Sequence, residues 1–143
     1  MKLLSAMILG LALLAFTGNI FAQDMLYVAE ENEGIYGTWV NMDYQPDAHP
    51  RQKIINYPGK WATYGSAGSE TATETGKYTI TEKWTDSEGN IWYKGEVVFP
   101  FQKAYELDKI SNSGKTWEFV FSSSKYPTKI DPEDSDYHIY HRK

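Results

Sequence analysis

Residues 77–99, KYTITEKWTDSEGNIWYKGEVVF, read as two strands around a turn. β-Branched and aromatic residues alternate with polar ones on both sides of Ser87-Glu88-Gly89-Asn90, a turn-forming cluster. Folding the stretch about Glu88-Gly89 sets Trp84 opposite Tyr93, Glu82 opposite Gly95, Ile80 opposite Val97 and Tyr78 opposite Phe99. The large apolar side chains then share one face, while Lys77, Thr79, Thr81, Lys83, Lys94 and Glu96 share the other. A slip of one residue would break this sorting, so the pattern argues for the register.

A second hairpin follows. Folded about Ser113-Gly114, it pairs Ile110 with Trp117, Asp108 with Phe119 and Glu106 with Phe121, and sets Lys109 beside Glu118 and Leu107 beside Val120 on the other face. The opposite charges at Lys109 and Glu118 support that register. The aromatic face, with Trp117, Phe119 and Phe121, is expected to look inward. It carries Asp108 and Glu106 with it, and Glu106, nearer the open end, is expected to be solvated.

Extending outward, strands are predicted at 35–42, 52–57, 60–64, 77–85, 91–99, 104–111, 116–122 and 136–142, with no window giving a convincing helical stripe. An all-β chain with no helix to cover a sheet edge is most simply closed, so the expected fold is an eight-stranded up-and-down antiparallel barrel. Connections in such a meander alternate between its two ends. Pro58-Gly59, 86–90 and 112–115 are tight and close one end. The loops at 44–50, 65–75 and 123–135 are long and frame an open mouth, where the last two are expected to gate access.

Residues 1–22 have an early lysine, an apolar run from Met7 to Phe16 and a breaking Gly18, the layout of a secretory signal peptide. The run is too short for a spanning helix, and no later segment approaches that length. The expected organisation is therefore a signal peptide at 1–22, a polar lead-in at 23–34 and one barrel domain at 35–143, exported to a periplasm or the cell exterior. Cysteine is absent, so no disulfide, thiol chemistry, thiolate metal site or cysteine-linked lipid anchor is expected. The net charge is −5 with the acidic residues scattered, which excludes a basic nucleic-acid footprint and disfavours anionic lipid. The 15% aromatic content implies either a stiff core or an aromatic-lined pocket.

Gly37-Thr38-Trp39 opens the first strand, the meander has one tight-turned end, and Arg142 stands at the end of the last strand. In these features the chain resembles the calycin superfamily, and within it bacterial lipocalin-like domains. The resemblance implies that Trp39 packs at the closed end with Arg142 across it. The chain departs from that pattern in being short and in lacking a helix after the barrel and disulfides. The segment 42–51, with two prolines, does not supply the two helices of fatty-acid-binding proteins. Gly37–Asn41 is also similar to the avidin opening, but the later avidin tryptophans have no counterpart.

The resemblance implies a ligand inside the barrel, a small hydrophobic or amphipathic molecule. The walls expected from the two hairpins are Tyr78, Ile80, Tyr93, Val97, Phe99, Phe119 and Phe121, with Glu82 and Asp108 as polar anchors. Glu82 sits on an otherwise apolar face with Gly95 leaving room opposite, and a buried carboxylate must find partners or take up a proton. The acidic interior favours a neutral hydrogen-bonding or cationic ligand over a fatty-acid carboxylate. Trp39, Trp84 and Trp117 are expected to form the barrel floor. Two alternatives stand beside this reading: a filled barrel that binds another protein, and an isomerase or decarboxylase using Glu82 and Asp108 with help from Tyr93. No cofactor is implied. No local metal signature exists, since His138 and His141 are three apart on a strand and face opposite sides, and His49 lies in a loop. The oligomeric state and the facing of His138, His141 and Arg142 are open at this level. Cleavage after Ala22 would leave Gln23 as the first residue of the exported protein, and intact-mass measurement of secreted material checks it.

Overall fold

The computed structural model describes residues 27–44 and 51–143; the expected signal peptide and His49 lie outside the described residues. Eight strands, β1 (Gly37–Val40), β2 (Lys53–Tyr57), β3 (Lys60–Tyr64), β4 (Glu74–Thr85), β5 (Ile91–Val98), β6 (Lys103–Ser111), β7 (Thr116–Ser122) and β8 (Tyr137–Arg142), follow one another. Each pairs antiparallel with the next and β8 returns to β1, closing an up-and-down barrel. The expected fold class is thus the observed one, with strand ends displaced by a few residues. Among the described residues no helix is long and apolar enough to cross a membrane.

The β6/β7 register is the expected one, with Asp108 opposite Phe119 and Lys109 opposite Glu118. The β4/β5 register is not. Trp84 faces Trp92, Lys83 faces Tyr93 and Glu82 faces Lys94, and the pairing shifts between Ile80 and Glu82, so that Ile80 faces Gly95 and Tyr78 faces Val97. The extra residue is Thr81, whose hydroxyl donates to the Lys94 carbonyl at 3.1 Å. A bulge of this kind reverses the facing of every residue on one side of it. Tyr78 and Ile80 keep their inward facing, with 3% and 4% exposure. Glu82 and Trp84 turn outward and Lys83 turns in. Trp84 therefore leaves the barrel floor and stacks on Trp92 outside, with ring planes 7° apart.

The closed end is plugged by the segment before β1. Ile35 is fully buried, and the Trp39 indole donates to its carbonyl at 2.8 Å. Glu33, in the stretch that reads as polar lead-in, is 3% exposed. It accepts from the inward-turned Lys83 at 2.8 Å, from the Tyr93 hydroxyl at 3.1 Å, from the Glu30 backbone at 2.8 Å and from Tyr27. The sequence signal that could have found this pair is a lysine on strand β4 that has no partner in its own hairpin.

Arg142 lies over the Trp39 ring at 3.9 Å, the contact the resemblance implied. Its guanidinium also donates to the Tyr36 carbonyl at 2.6 Å and the Gly34 carbonyl at 2.7 Å. Gly37 has φ +119°, and a Cβ there would stand 2.6 Å from the Arg142 guanidinium, so both conformation and space require glycine. Two charge-assisted hydrogen bonds and a cation–π contact predict that Arg142→Met lowers stability by about 3 kcal/mol. Urea denaturation that shows an unchanged midpoint would contradict this.

Candidate functional site

Interior side chains of β2 to β8 meet around a cavity of about 50 Å³ lined by Ile54, Asn56, Trp61, Thr63, Tyr78, Val97, Phe99, Glu106, Trp117, Phe119, Phe121, His138 and Tyr140, with Arg51 at its outer side. Arg51, Phe99 and Phe121 also line a second, outer space of about 220 Å³ bounded by Glu74 and the 100–102 turn, so a vestibule stands over the cavity at the open end. Arg51 and Glu74 pair across the rim at 3.2 Å. Aromatic rings fill most of the interior. Phe119 stacks on Trp117 with centroids 4.3 Å apart, and His138 lies against Phe119 at 4.9 Å and Phe121 at 5.6 Å.

The polar centre of this wall is Asp108, which is fully buried. Its carboxylate accepts from the Tyr78 hydroxyl at 2.8 Å and the Trp117 indole at 2.8 Å. Tyr78 reaches it only because Gly95 stands beneath its ring, where any Cβ would collide with it. The glycine expected to make room for Glu82 makes room for Tyr78 instead. Two positions along β6, Glu106 is 7% exposed and lines the cavity; it is not solvated, because the strand's inner face stays covered to that point.

Burial pushes the Glu106 carboxyl well above the ordinary range, and Asp108 beside it adds to the shift. Burial raises Asp108 as well, to about 6, but hydrogen bonds from Tyr78 and Trp117 work against that. The donors thus place the charge on Asp108 and the proton on Glu106. Tyr78 is pushed well up, first by burial and then by Asp108, and stays a donor. Burial and the charge of Arg51 hold His138 below its usual value, so its ring is neutral at pH 7. Glu33 behaves oppositely: burial would raise it, but hydrogen bonds from Lys83, Tyr27, Glu30 and Tyr93 outweigh that and keep it lowered.

Of the wall residues expected from sequence, Tyr78, Val97, Phe99, Phe119 and Phe121 line the cavity. Ile80 is buried beside it in the core. Tyr93 is drawn to the closed end by Glu33 and by the Gly34 backbone, which donates to its hydroxyl at 3.0 Å. Asp108 lies behind Tyr78 and Trp117 rather than on the cavity surface. Glu82 is outside the barrel, paired with Lys94 at 2.9 Å with its side chain 55% exposed; the bulge at Thr81 put it there. An acid/base pair of Glu82 and Asp108 is accordingly not assembled. Sequence reasoning put Glu106 on the inner face but expected it solvated, and it missed Arg51, Asn56, Trp61 and Thr63, because residues on short strands far apart in sequence converge only on closure. His138 faces the cavity, whereas His141 is exposed. Among the described residues no cluster of three metal-ligating side chains forms.

Among the described residues, the two loops expected to gate access touch outward-facing side chains. Lys53, on the outer face of β2, donates to the Ser69 carbonyl. Tyr126 stands 2.9 Å from the Thr81 hydroxyl and packs edge-on against Tyr105, whose ring points away from the interior. An outer groove of about 640 Å³ lies there, lined by Trp84, Trp92, Leu107, Tyr126, Lys94, Glu82, Asp86, Pro127 and Thr128.

Comparison with protein-family models, with curated proteins and with solved structures finds no match. The class of the protein therefore rests on its architecture: a closed eight-stranded antiparallel barrel with a carboxyl-bearing, aromatic-lined cavity under its open end.

An acid whose folded pKa is raised takes up a proton on folding, so its contribution is fully present below the unfolded value and is lost as pH rises through the folded one. Wild type and Glu106→Gln should match in stability near pH 4.5, the ordinary value of the group, and the variant should become the more stable as pH rises. Denaturation midpoints that run parallel across this range would contradict a protonated Glu106.

Proposed function

We propose that this is an exported, lipocalin-like barrel that binds a small, largely apolar molecule through its open end. The observation that carries the reading is Glu106, a carboxyl turned into an aromatic-lined cavity beneath an open vestibule. A core built only for stability gains nothing from a buried acid, whereas a binding site uses one such group to fix orientation. The sizes, about 50 Å³ and 220 Å³, fall below the roughly 300–1,000 Å³ of drug-sized sites, so the ligand is compact: a head group in the cavity and a short body in the vestibule. Phe99, Phe119 and Phe121 would hold that body. The calycin resemblance supports the same reading through Gly37, Trp39 and Arg142, which meet at the closed end. The signal-like segment at 1–22 supports export.

A second reading, a filled barrel acting on a protein partner, is favoured by the outer groove and by Trp84, 37% exposed on its wall. An isomerase or decarboxylase on this scaffold lacks the pair on which it was built, since Glu82 is outside. The two binding readings separate by mutation. Val97→Phe fills the cavity, and it should abolish retention of any mass that co-purifies in native mass spectrometry, while Trp84→Ala leaves it unchanged. The opposite pattern would move the function to the outer face.

A further inference from the structure

We propose that the outer groove over β4 to β6 is a second binding site, separate from the interior cavity, and that it takes a neutral oligosaccharide of β-linked pyranose rings. A sugar ring lies on the Trp84 indole, with its hydroxyls on the Glu82 carboxylate and the Lys94 ammonium.

The bulge at Thr81 builds this groove. It turns Glu82 and Trp84 out together on one strand face, opposite Lys94 and Trp92 of β5. The same Thr81 holds the facing wall. Its hydroxyl donates to the Lys94 carbonyl at 3.1 Å, so the Tyr126 hydroxyl, 2.9 Å away, donates to it, and Tyr105 packs edge-on against the Tyr126 ring. Bulges re-aim side chains beside functional sites, and here one residue fixes both walls. The space between them, about 640 Å³, is the size of a small-molecule site.

The rings are held rigidly and left partly bare. Trp92 donates to Asp86 at 2.8 Å, and Asp86 is itself fixed by the backbone N–H groups of Glu88 and Asn90 and by the Asn90 side chain. Trp84 stacks on Trp92 yet remains exposed. A pinned indole at the surface offers a ligand a flat apolar face with little ordering left to do.

The charges decide what lies on that face. Lys94 sits over the rings of Trp84 and Tyr126, at 5.9 and 5.8 Å, and pairs with Glu82 at 2.9 Å. The place of a cation on these rings is thus filled from within the chain. At the rings, Glu82 and Asp86 are balanced by Lys94 and by Lys109, which lies over Trp92 at 5.5 Å, so neither sign of ion is drawn in. The Glu82–Lys94 pair is itself partly exposed, and it keeps lone pairs and N–H groups free beside the indole. A ligand that answers all of these carries adjacent hydroxyls and an apolar face. A pyranose with equatorial hydroxyls does so: its axial C–H bonds point at the negative face of the indole, and its hydroxyls lie around the edge as donors and acceptors. Equatorial linkages keep successive rings in one flat ribbon, which suits a groove with aromatic side chains on both walls. A peptide strand finds no unpaired backbone edge here, since β4, β5 and β6 are each paired on both sides. An apolar helix would meet Glu82, Lys94 and Asp86 between the rings.

The experiment is titration of the mature protein at pH 7 with cellotriose, trigalacturonate and a hexaproline peptide, followed by tryptophan fluorescence and the NMR signals of the indole N–H groups. Cellotriose is expected to shift the signals of Trp84 and Trp92 and to leave that of the buried Trp117 in place. Trp84→Leu, which keeps an apolar side chain but no flat ring, should weaken cellotriose at least about tenfold, a loss of about 1.4 kcal/mol. Trp84→Tyr should retain most of the affinity. Val97→Phe, which fills the interior cavity, should leave it unchanged, so the two sites are tested apart. Absence of cellotriose binding, wild-type affinity in Trp84→Leu, or tighter binding by trigalacturonate or hexaproline would overturn the saccharide site and leave the interior reading standing. Loss of cellotriose binding in Val97→Phe would overturn it as well, by moving the sugar into the barrel.

Discussion

The barrel depends on the seam between its first and last strands, and that seam is held mainly by one side chain. β1 has four residues, and its register with β8 consists of two pairs, Trp39 with Arg142 and Val40 with His141. Two pairs form a thin ladder beside the eight that join β5 to β6. The Arg142 side chain compensates with bonds outside the ladder. Its guanidinium lies on Trp39 and bonds the carbonyls of Gly34 and Tyr36, while its Nε reaches the Gly114 carbonyl at 3.3 Å. One planar, permanently charged group thereby ties the lead-in, the first strand, the β6/β7 turn and the last strand together. Closure in turn removes the sheet edge, which no helix among the described residues could have covered.

The same end explains why a polar lead-in is ordered. Glu33 is taken out of water, a step that is unfavourable unless the charge is met from several sides. Lys83, Tyr93, Tyr27 and the Glu30 backbone meet it. Lys83 is available only because Thr81 bulges out of register and turns it inward. The bulge therefore serves both faces: it supplies a cation to the plug, and it turns Trp84 out to stack on Trp92, whose indole donates to Asp86 at 2.8 Å.

At the other end the packing is incomplete. Rings fill the middle of the barrel, but a carboxyl and a neutral imidazole border the remaining space. Buried polar groups of this kind lower stability unless each is answered. Asp108 is answered by Tyr78 and Trp117, and Glu106 by a proton. The interior thus divides into a filled floor and an upper chamber that keeps open space beside Glu106.

The sequence by itself determined the fold class, the order and near-limits of the strands and the β6/β7 register. These follow from alternation, turn residues and the parity of connections, which act over short stretches and add up. It also placed Tyr78, Val97, Phe99, Phe119 and Phe121 on the inner wall, since alternation alone sets their face. Only the tertiary structure decided where Glu82, Trp84 and Lys83 point. A single extra residue reverses parity without any signature in residue type, and its benefit, the contact with Glu33, lies fifty positions away. Burial of Glu106 and the gathering of Trp61, Thr63, Asn56 and His138 around it were likewise decided by closure. A cavity is a property of surfaces brought together from several strands, and no local pattern in the chain encodes the space they leave.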